Sequence, residues 1–393
     1  MPGVKIRRVG SLIVATALLG VTAPQVAAET AANLACLTSG SDVPSSRIVA
    51  LRRGFNLTGW LDHAPGAQPR RPSQGLLMKL AQKGFTHVRL PVTAELILPA
   101  LAAPNQVQTN LAELDRALTL LFAAGLAVSL DLHPSGSFAS LHSGNPPLGL
   151  QLLSDLWRTL ASRYAALEPD RLFFELLNEP QVESDLWRLQ ATELIHRIRE
   201  VSPTRTIVYG PARFSRYDEL TSGPPLEAPN IVYAVHFYDP MPFTHQGADW
   251  DPEDPNRYYH NIPFPSARND GRIAALMEEL AKNGQVSAAA MLAQTFSEPW
   301  NRERVEAAIA GVGDWMAKTK SPVIINEFGV LNRRVAPSDR ASWLRAVRGA
   351  AERHCIGWAH WEYADAFGFV KLTNQGAAVD ASIIAALMDP ISP

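Results

Sequence analysis

Two carboxylates in this chain stand at the ends of apolar runs, each directly after an asparagine: Glu179 in FFELLNEP and Glu327 in PVIINEFG. Glutamates presented in this way, one protonated and one ionised, are what cleavage of a glycosidic bond needs. The first gives a proton to the leaving oxygen while the second attacks the anomeric carbon. A separation of roughly 5 to 5.5 Å between the carboxyls gives retention of configuration, and a wider gap gives inversion. Other polar groups occupy equivalent places near the ends of apolar runs: Asn56, Arg89, Asp131, His133, Asn178, His236, Tyr238 and Trp361. A metal-dependent hydrolase using Asp131, His133 and His236 is a rival reading, but it leaves the carboxylate pair unexplained. No His or Cys run has metal-site spacing, and the two-carboxylate chemistry requires no cofactor.

These groups need a scaffold that gathers strand ends. Short β-branched or apolar runs alternate with longer amphipathic stretches, the pattern of repeated βα units. The runs are Arg53 to Leu57, Thr86 to Leu90, Ala127 to Leu132, Leu172 to Leu177, Thr206 to Tyr209, Ile231 to Phe237, Pro322 to Asn326 and Ile356 to Trp361. Helical spacing of apolar residues predicts helices over Gln74 to Lys83, Leu111 to Ala124, Leu148 to Ala166, Asp185 to Glu200, Arg302 to Lys318 and Asp339 to Arg353. This predicts a single-domain (β/α)8 barrel, a fold that holds its reactive groups at the C-terminal ends of its strands. The segment from Asp239 to about Trp300 is too long for a simple connection. It is expected to build part of a cleft, with its own helix around Gly271 to Asn283.

The ordered set GFNLTGW, THVRLPV, LDLHPSG, LLNEP, VHFY, INEFG and HWEY, one piece per expected strand end, resembles glycoside hydrolase family 5, the large cellulase family. The resemblance implies Glu179 as acid/base and Glu327 as nucleophile. It implies Asn178 as the group that bonds the sugar 2-hydroxyl, and His133, His236 and Tyr238 as a polar wall around the reacting sugar, with Tyr238 touching the nucleophile. Arg89 is expected to keep Glu327 ionised, and burial beside a second carboxylate is expected to raise the pKa of Glu179. Trp361 corresponds to the family's sugar platform. Trp60 is expected among the substrate-binding residues, and Trp250, Trp300, Phe243, Tyr258 and Tyr259 are candidates to extend the aromatic surface. Pro134 after His133 departs from many family endoglucanases, and no binding module or linker is recognised, so soluble β-glucan is favoured over crystalline cellulose. β-Mannan comes second. Transfer to a sugar acceptor on the same residues and a non-catalytic sugar-binding barrel are the alternatives.

The bulk composition agrees with a neutral partner. The 393 residues are 47% hydrophobic and 19% charged, enough for a large core. Lys and Arg number 36 against 38 Asp and Glu, so no bulk field draws the chain to nucleic acid or an anionic membrane. Residues 1–28 resemble an export signal: Lys5, Arg7 and Arg8 precede an apolar stretch, Leu12 to Val21, which ends near Val26-Ala27-Ala28. An uncleaved anchor is the other reading of that segment. After its removal no membrane span is expected, and the protein is expected to be periplasmic or secreted. Cys36 and Cys355 either pair in an oxidising compartment or are separately buried thiols.

Overall fold

The computed structural model describes residues 40–390 apart from 63–67, 268 and 375. The segment 1–28 and Cys36 lie outside the described residues. Among those described, Cys355 is not a free thiol.

Eight parallel strands close into a barrel in sequence order among the described residues. They are β1 (Arg53–Asn56), β2 (His87–Thr93), β3 (Ala127–His133), β4 (Leu172–Glu175), β5 (Ile207–Tyr209), β6 (Ile231–His236), β7 (Val323–Phe328) and β8 (Gly357–His360), with β1 paired to β8. Each overlaps a run predicted from sequence. Helices cover the barrel at Gln74–Gln82, Pro104–Ala123, Pro146–Arg163, Ser184–Arg199, Arg302–Thr319 and Pro337–Arg353, again where helical spacing predicts them. Their starts follow local chemistry: Ser73, Asn145 and Asn301 accept a bond from a first-turn backbone N–H.

Strand alternation divides the core in two. One side chain in two faces the helices, and these positions are apolar and fully buried, as at Val88, Leu90, Leu130 and Phe174. The other set fills the barrel. Its lower part is a small apolar cluster of Ala127, Phe173, Val208, Val232, Ala234 and Ile324, closed below by Val43 and Leu51. These last two flank the helix Ser45–Ala50, which Arg47 fastens to Asp170 (2.7 Å), the Thr204 carbonyl (2.7 Å) and Thr206 (2.8 Å). All three partners precede strands, so this plug lies at the end of the barrel opposite the strand C-termini.

The same parity puts His87 inside the barrel. A Cβ at Gly54, its partner on β1, would lie 2.3 Å from the His87 ring, so the first motif needs glycine here to make room for the imidazole.

After β6 the chain builds the expected insertion, with helices at Met241–Thr244, Gly271–Lys282 and Val286–Thr295. The last of these, and the helix Gly136–Gly144 after β3, are additions to the sequence reading. So are a hairpin, β9 (Val370–Thr373) with β10 (Gly376–Val379), and a closing helix Ala381–Met388. Buried Arg348 donates to the carbonyls of Leu387 (3.2 Å) and Asp389 (2.7 Å), satisfying the end of that last helix.

His87 has no hydrogen-bond partner for either ring nitrogen, and burial pushes its pKa down to about 3. A group depressed on folding costs nothing above its unfolded value, about 6.5, and destabilises the fold as pH falls from there towards 3. The expected result is that His87→Leu loses less Tm between pH 6.5 and 4 than the parent does; parallel Tm curves would contradict it.

Candidate active site

At the C-terminal end of the barrel, one guanidinium organises the inward-facing side chains. Arg89 on β2 is fully buried. Its Nη1 donates to Asn56 Oδ1 (2.9 Å) and Glu327 Oε1 (2.6 Å), and its Nη2 to Glu175 Oε1 (2.7 Å) and Asn178 Oδ1 (2.8 Å). Nε faces Glu175 at 3.0 Å, and Asp131 Oδ2 lies 3.1 Å from Nη2. Burial by itself would weaken the cation, but Asp131, Glu175 and Glu327 more than reverse this and raise its pKa well above the arginine range.

Glu327 reaches this centre through an irregularity in β7. Val235 of β6 pairs with Ile325 and His236 with Glu327, so Asn326 is an extra residue in the ladder, and the register against β8 slips at the same place. In an even pleat Asn326 and Glu327 would face opposite ways. Here both turn inward: Asn326 donates to Glu175 Oε1 at 2.8 Å, and Glu327 meets Arg89 with one oxygen and the Tyr238 hydroxyl (2.9 Å) with the other.

Glu179 is presented differently. Its backbone lies in the left-handed region, φ 45, which a non-glycine residue adopts at a cost and which is met at functional turns. His236 Nδ1 lies 2.8 Å from Glu179 Oε1 and 3.5 Å from Glu327 Oε2. An oxygen of Glu179, an oxygen of Glu327 and a ring nitrogen of His236 all fall within 4.8 Å of one another.

Protonation departs from the expectation for Glu179. Burial raises its pKa, but the hydrogen bond and charge of His236 outweigh burial and hold it below the ordinary glutamate value. His236 moves the other way, because Glu327 and Glu179 outweigh the burial that would lower it. The two shifts have one cause in common, the bond between His236 and Glu179, so these groups titrate as a pair. For His133, burial would lower the pKa, but Asp131 at 2.9 Å reverses this and lifts it to about 9.

The remaining sequence candidates divide clearly. His133 stacks on Trp361 with centroids 5.7 Å apart, and both line a cleft of about 460 Å³ together with Asn178, Glu179, Tyr238 and Glu327. Gly329 makes Trp361 possible: a Cβ there would sit 2.1 Å from the Trp361 carbonyl oxygen. Trp60 does not join the site. It is fully buried and its indole N–H donates to Glu113 at 2.7 Å, so it is a core residue. Phe243 and Tyr259 are fully buried and Trp300 nearly so, whereas Trp250 stands 57% exposed beside the cleft. The set Asp131, His133 and His236 does not converge as a metal site. Asp131 is bonded within the Arg89 cluster and His236 turns to Glu179.

The sequence reading missed four residues here. Glu175 is buried within β4 on Arg89, and His245 and Phe367 line the cleft. Glu362 also lines it; burial pushes its pKa up to about 7, against a 2.5 Å bond from Thr58. A glutamate inside an otherwise apolar strand was the available signal for Glu175, since a buried charge needs a partner.

A closed parallel barrel with two glutamates facing each other among bonded histidine, tyrosine and arginine, beside an aromatic platform, defines an enzyme of the glycosyl hydrolase class. Residues 51–365 match the model of the family described as Cellulase (glycosyl hydrolase family 5). The chain belongs to that family. It is 28% identical over 337 residues to Endoglucanase 3 of Fibrobacter succinogenes, covering 82% of this chain and half of that one. Endoglucanase C of Acetivibrio thermocellus is 28% identical over 326 residues, covering 80% of this chain and 92% of the other. Among solved structures, the cellulose synthase subunit Z of Clostridioides difficile superposes with a TM-score of 0.66 at 25% identity, over 86% of this chain and 100% of that one. A mutant Cel5A of Thermotoga maritima in complex with cellobiose shares the fold, with a TM-score of 0.71 at 23% identity over 88% and 99% of the two chains.

Removing the central cation takes from three buried carboxylates the partner they share. Arg89→Met is expected to cost about 3–5 kcal/mol of stability in urea unfolding; a loss below about 1 kcal/mol would mean the cluster holds itself without the guanidinium.

Proposed function

We propose that the protein is an exported, retaining hydrolase of β-linked glucans, acting by double displacement within chains. The observation that supports the mechanism is the approach of an oxygen of Glu179 and an oxygen of Glu327 to within 4.8 Å, a close placement of the kind that retaining enzymes use. The glucan assignment is supported by the endoglucanase names of the relatives at 28% identity. Export is supported by the basic and then apolar character of residues 1–28.

In the first step a Glu327 oxygen attacks the anomeric carbon, the bond to the glycosidic oxygen breaks, and that oxygen takes a proton from Glu179. Arg89 and the Tyr238 hydroxyl hold the attacking carboxylate in one orientation. Asn178 has its carbonyl turned to Arg89, and its amide nitrogen, 3.3 Å from His133 Nε2, keeps a second N–H for a sugar hydroxyl in the cleft that Asn178 lines. In the second step Glu179 takes a proton from water, the hydroxide oxygen bonds to the anomeric carbon, and Glu327 departs as carboxylate.

Products from a panel of soluble β-glucans and β-mannans, followed by mass and by NMR of the newly formed anomer, test this reading. Shorter β-glucan oligosaccharides with retained configuration, absent with Glu327→Ala, are expected. Inverted products, cleavage of mannan alone or products longer than the substrate would each overturn the corresponding part.

The His236–Glu179 pair also predicts the pH profile. The catalytically competent pair carries one proton, and with the His236 pKa raised that proton is retained to higher pH than a lone carboxylic acid would allow. The alkaline limb of kcat/KM is therefore expected to move to lower pH in His236→Asn, where the proton sits on Glu179 alone; an unmoved limb would remove the pair from the mechanism.

A further inference from the structure

Glu179 stands between two lobes of the cleft. One contains Glu327, Asn178, His133 and Trp361; the other, of about 380 Å³, contains His236 and Asp239 but not Glu327. Four residues line both: Glu179, Tyr238, His245 and Trp250. Retention requires the water of the second step to approach from the side on which the first oxygen left, so it stands beside Glu179, where the lobes meet. That water has two hydrogens. Glu179 takes one, and the other needs an acceptor if the oxygen is to be held with a lone pair aimed at the anomeric carbon.

His245 offers that acceptor, and its hydrogen bonds fix which nitrogen does so. The Thr244 hydroxyl has a single hydrogen, and it goes to the Tyr238 carbonyl oxygen at 2.6 Å, which can only accept. Thr244 Oγ1 also lies 2.9 Å from His245 Nδ1, so the ring donates from Nδ1. In the neutral imidazole this leaves Nε2 with a lone pair and no hydrogen. Burial keeps the ring neutral, pushing its pKa down to about 4 against the charges of Asp254 and Glu179. Nε2 has no partner among the described residues, and it is not one of the nitrogens sealed from solvent. The ring packs against Tyr238, Phe367 and Trp250, with centroids 5.1, 5.4 and 5.8 Å away, and the Thr244 carbonyl accepts from the Leu331 N–H at 2.8 Å. The other shared residues do not serve. The Trp250 indole can only donate, and the Tyr238 hydroxyl is turned to Glu327, which attacks from the opposite face of the sugar.

We propose that His245 orients the water of the second step, its Nε2 accepting the hydrogen that Glu179 does not take. This rests on the hydrolase reading above. As Glu179 removes one proton, the water oxygen bonds to the anomeric carbon and the bond to Glu327 breaks, its electron pair returning to the carboxylate. The second hydrogen stays on the new hydroxyl throughout, and His245 neither gains nor loses a proton. The first step proceeds without this water, so His245 is a positioning residue for breakdown of the glycosyl-enzyme and not for its formation.

The test uses 2,4-dinitrophenyl β-cellobioside, whose leaving group departs without help from an acid, so that kcat reports the second step and kcat/KM the first. His245→Leu is expected to lower kcat roughly ten- to hundredfold and KM in proportion, with kcat/KM within about threefold of the parent and a cellobiosyl adduct on the protein by intact mass. His245→Gln, whose side-chain carbonyl supplies an acceptor at similar reach, is expected to recover most of kcat. Thr244→Val keeps the ring and removes the group that fixes its tautomer; it is expected to lower kcat roughly three- to tenfold, again with little change in kcat/KM. A joint fall of kcat and kcat/KM would mean a role in substrate binding or folding, and an unchanged kcat would mean no contact with the water; either overturns the proposal while the hydrolase reading stands. A parent enzyme inert on this substrate and on cellotetraose would overturn the hydrolase reading and this proposal with it.

Discussion

The site depends on one buried cation. Arg89 is a planar fork with five N–H donors, and the structure spends them on side chains from β1, β4 and β7, with Asp131 of β3 beside them. A lysine would offer a point charge without the fork and could not fix these partners in one arrangement. The fixing has an electrostatic side. Asp131, Glu175 and Glu327 surround the guanidinium, and the excess of negative charge is relieved in two ways: burial raises the pKa of Glu175 more than Arg89 lowers it, and Asp131 keeps His133 cationic up to about pH 9. Glu327 is the member of the cluster that meets the cleft.

In the proposed mechanism two chemically identical side chains take different roles because their partners differ. Glu327 is held by an arginine and a phenol, neither of which gives up its proton near neutral pH. Glu179 is held by an imidazole, which does. The proposed division between nucleophile and acid/base follows from this contrast more than from depth of burial. Burial beside a second carboxylate is the sequence-based ground for a raised pKa at Glu179, and the bond and charge of His236 are why the structure reverses it.

The barrel was legible because its signals are local: eight short apolar runs, helical spacing between them and polar groups at the ends. Glu179, Glu327, Arg89, His133, Asn178, His236, Tyr238 and Trp361 are all brought together, as strand-end positions must be. The failures came from contacts between residues distant in sequence. Trp60 follows β1 by a few residues and so resembles a cleft aromatic, but its indole finds Glu113 on the helix Pro104–Ala123, a meeting that no local pattern encodes. Glu175 was concealed by the apolar residues around it. The helix Val286–Thr295 escaped because it is rich in alanine and has only two well-buried side chains, so its periodicity is faint.

The extra residue in β7 bears on how such a site can be transplanted or designed. A barrel of perfectly regular strands is easy to specify, yet each strand then delivers one inward group per two residues of height. Here adjacent residues, Asn326 and Glu327, share one level of the interior because the ladder skips a step between them. Copying the reactive side chains onto an idealised eightfold scaffold would therefore present one of the two and turn the other towards the helices. The irregularity would have to be transferred first, and the glutamate second.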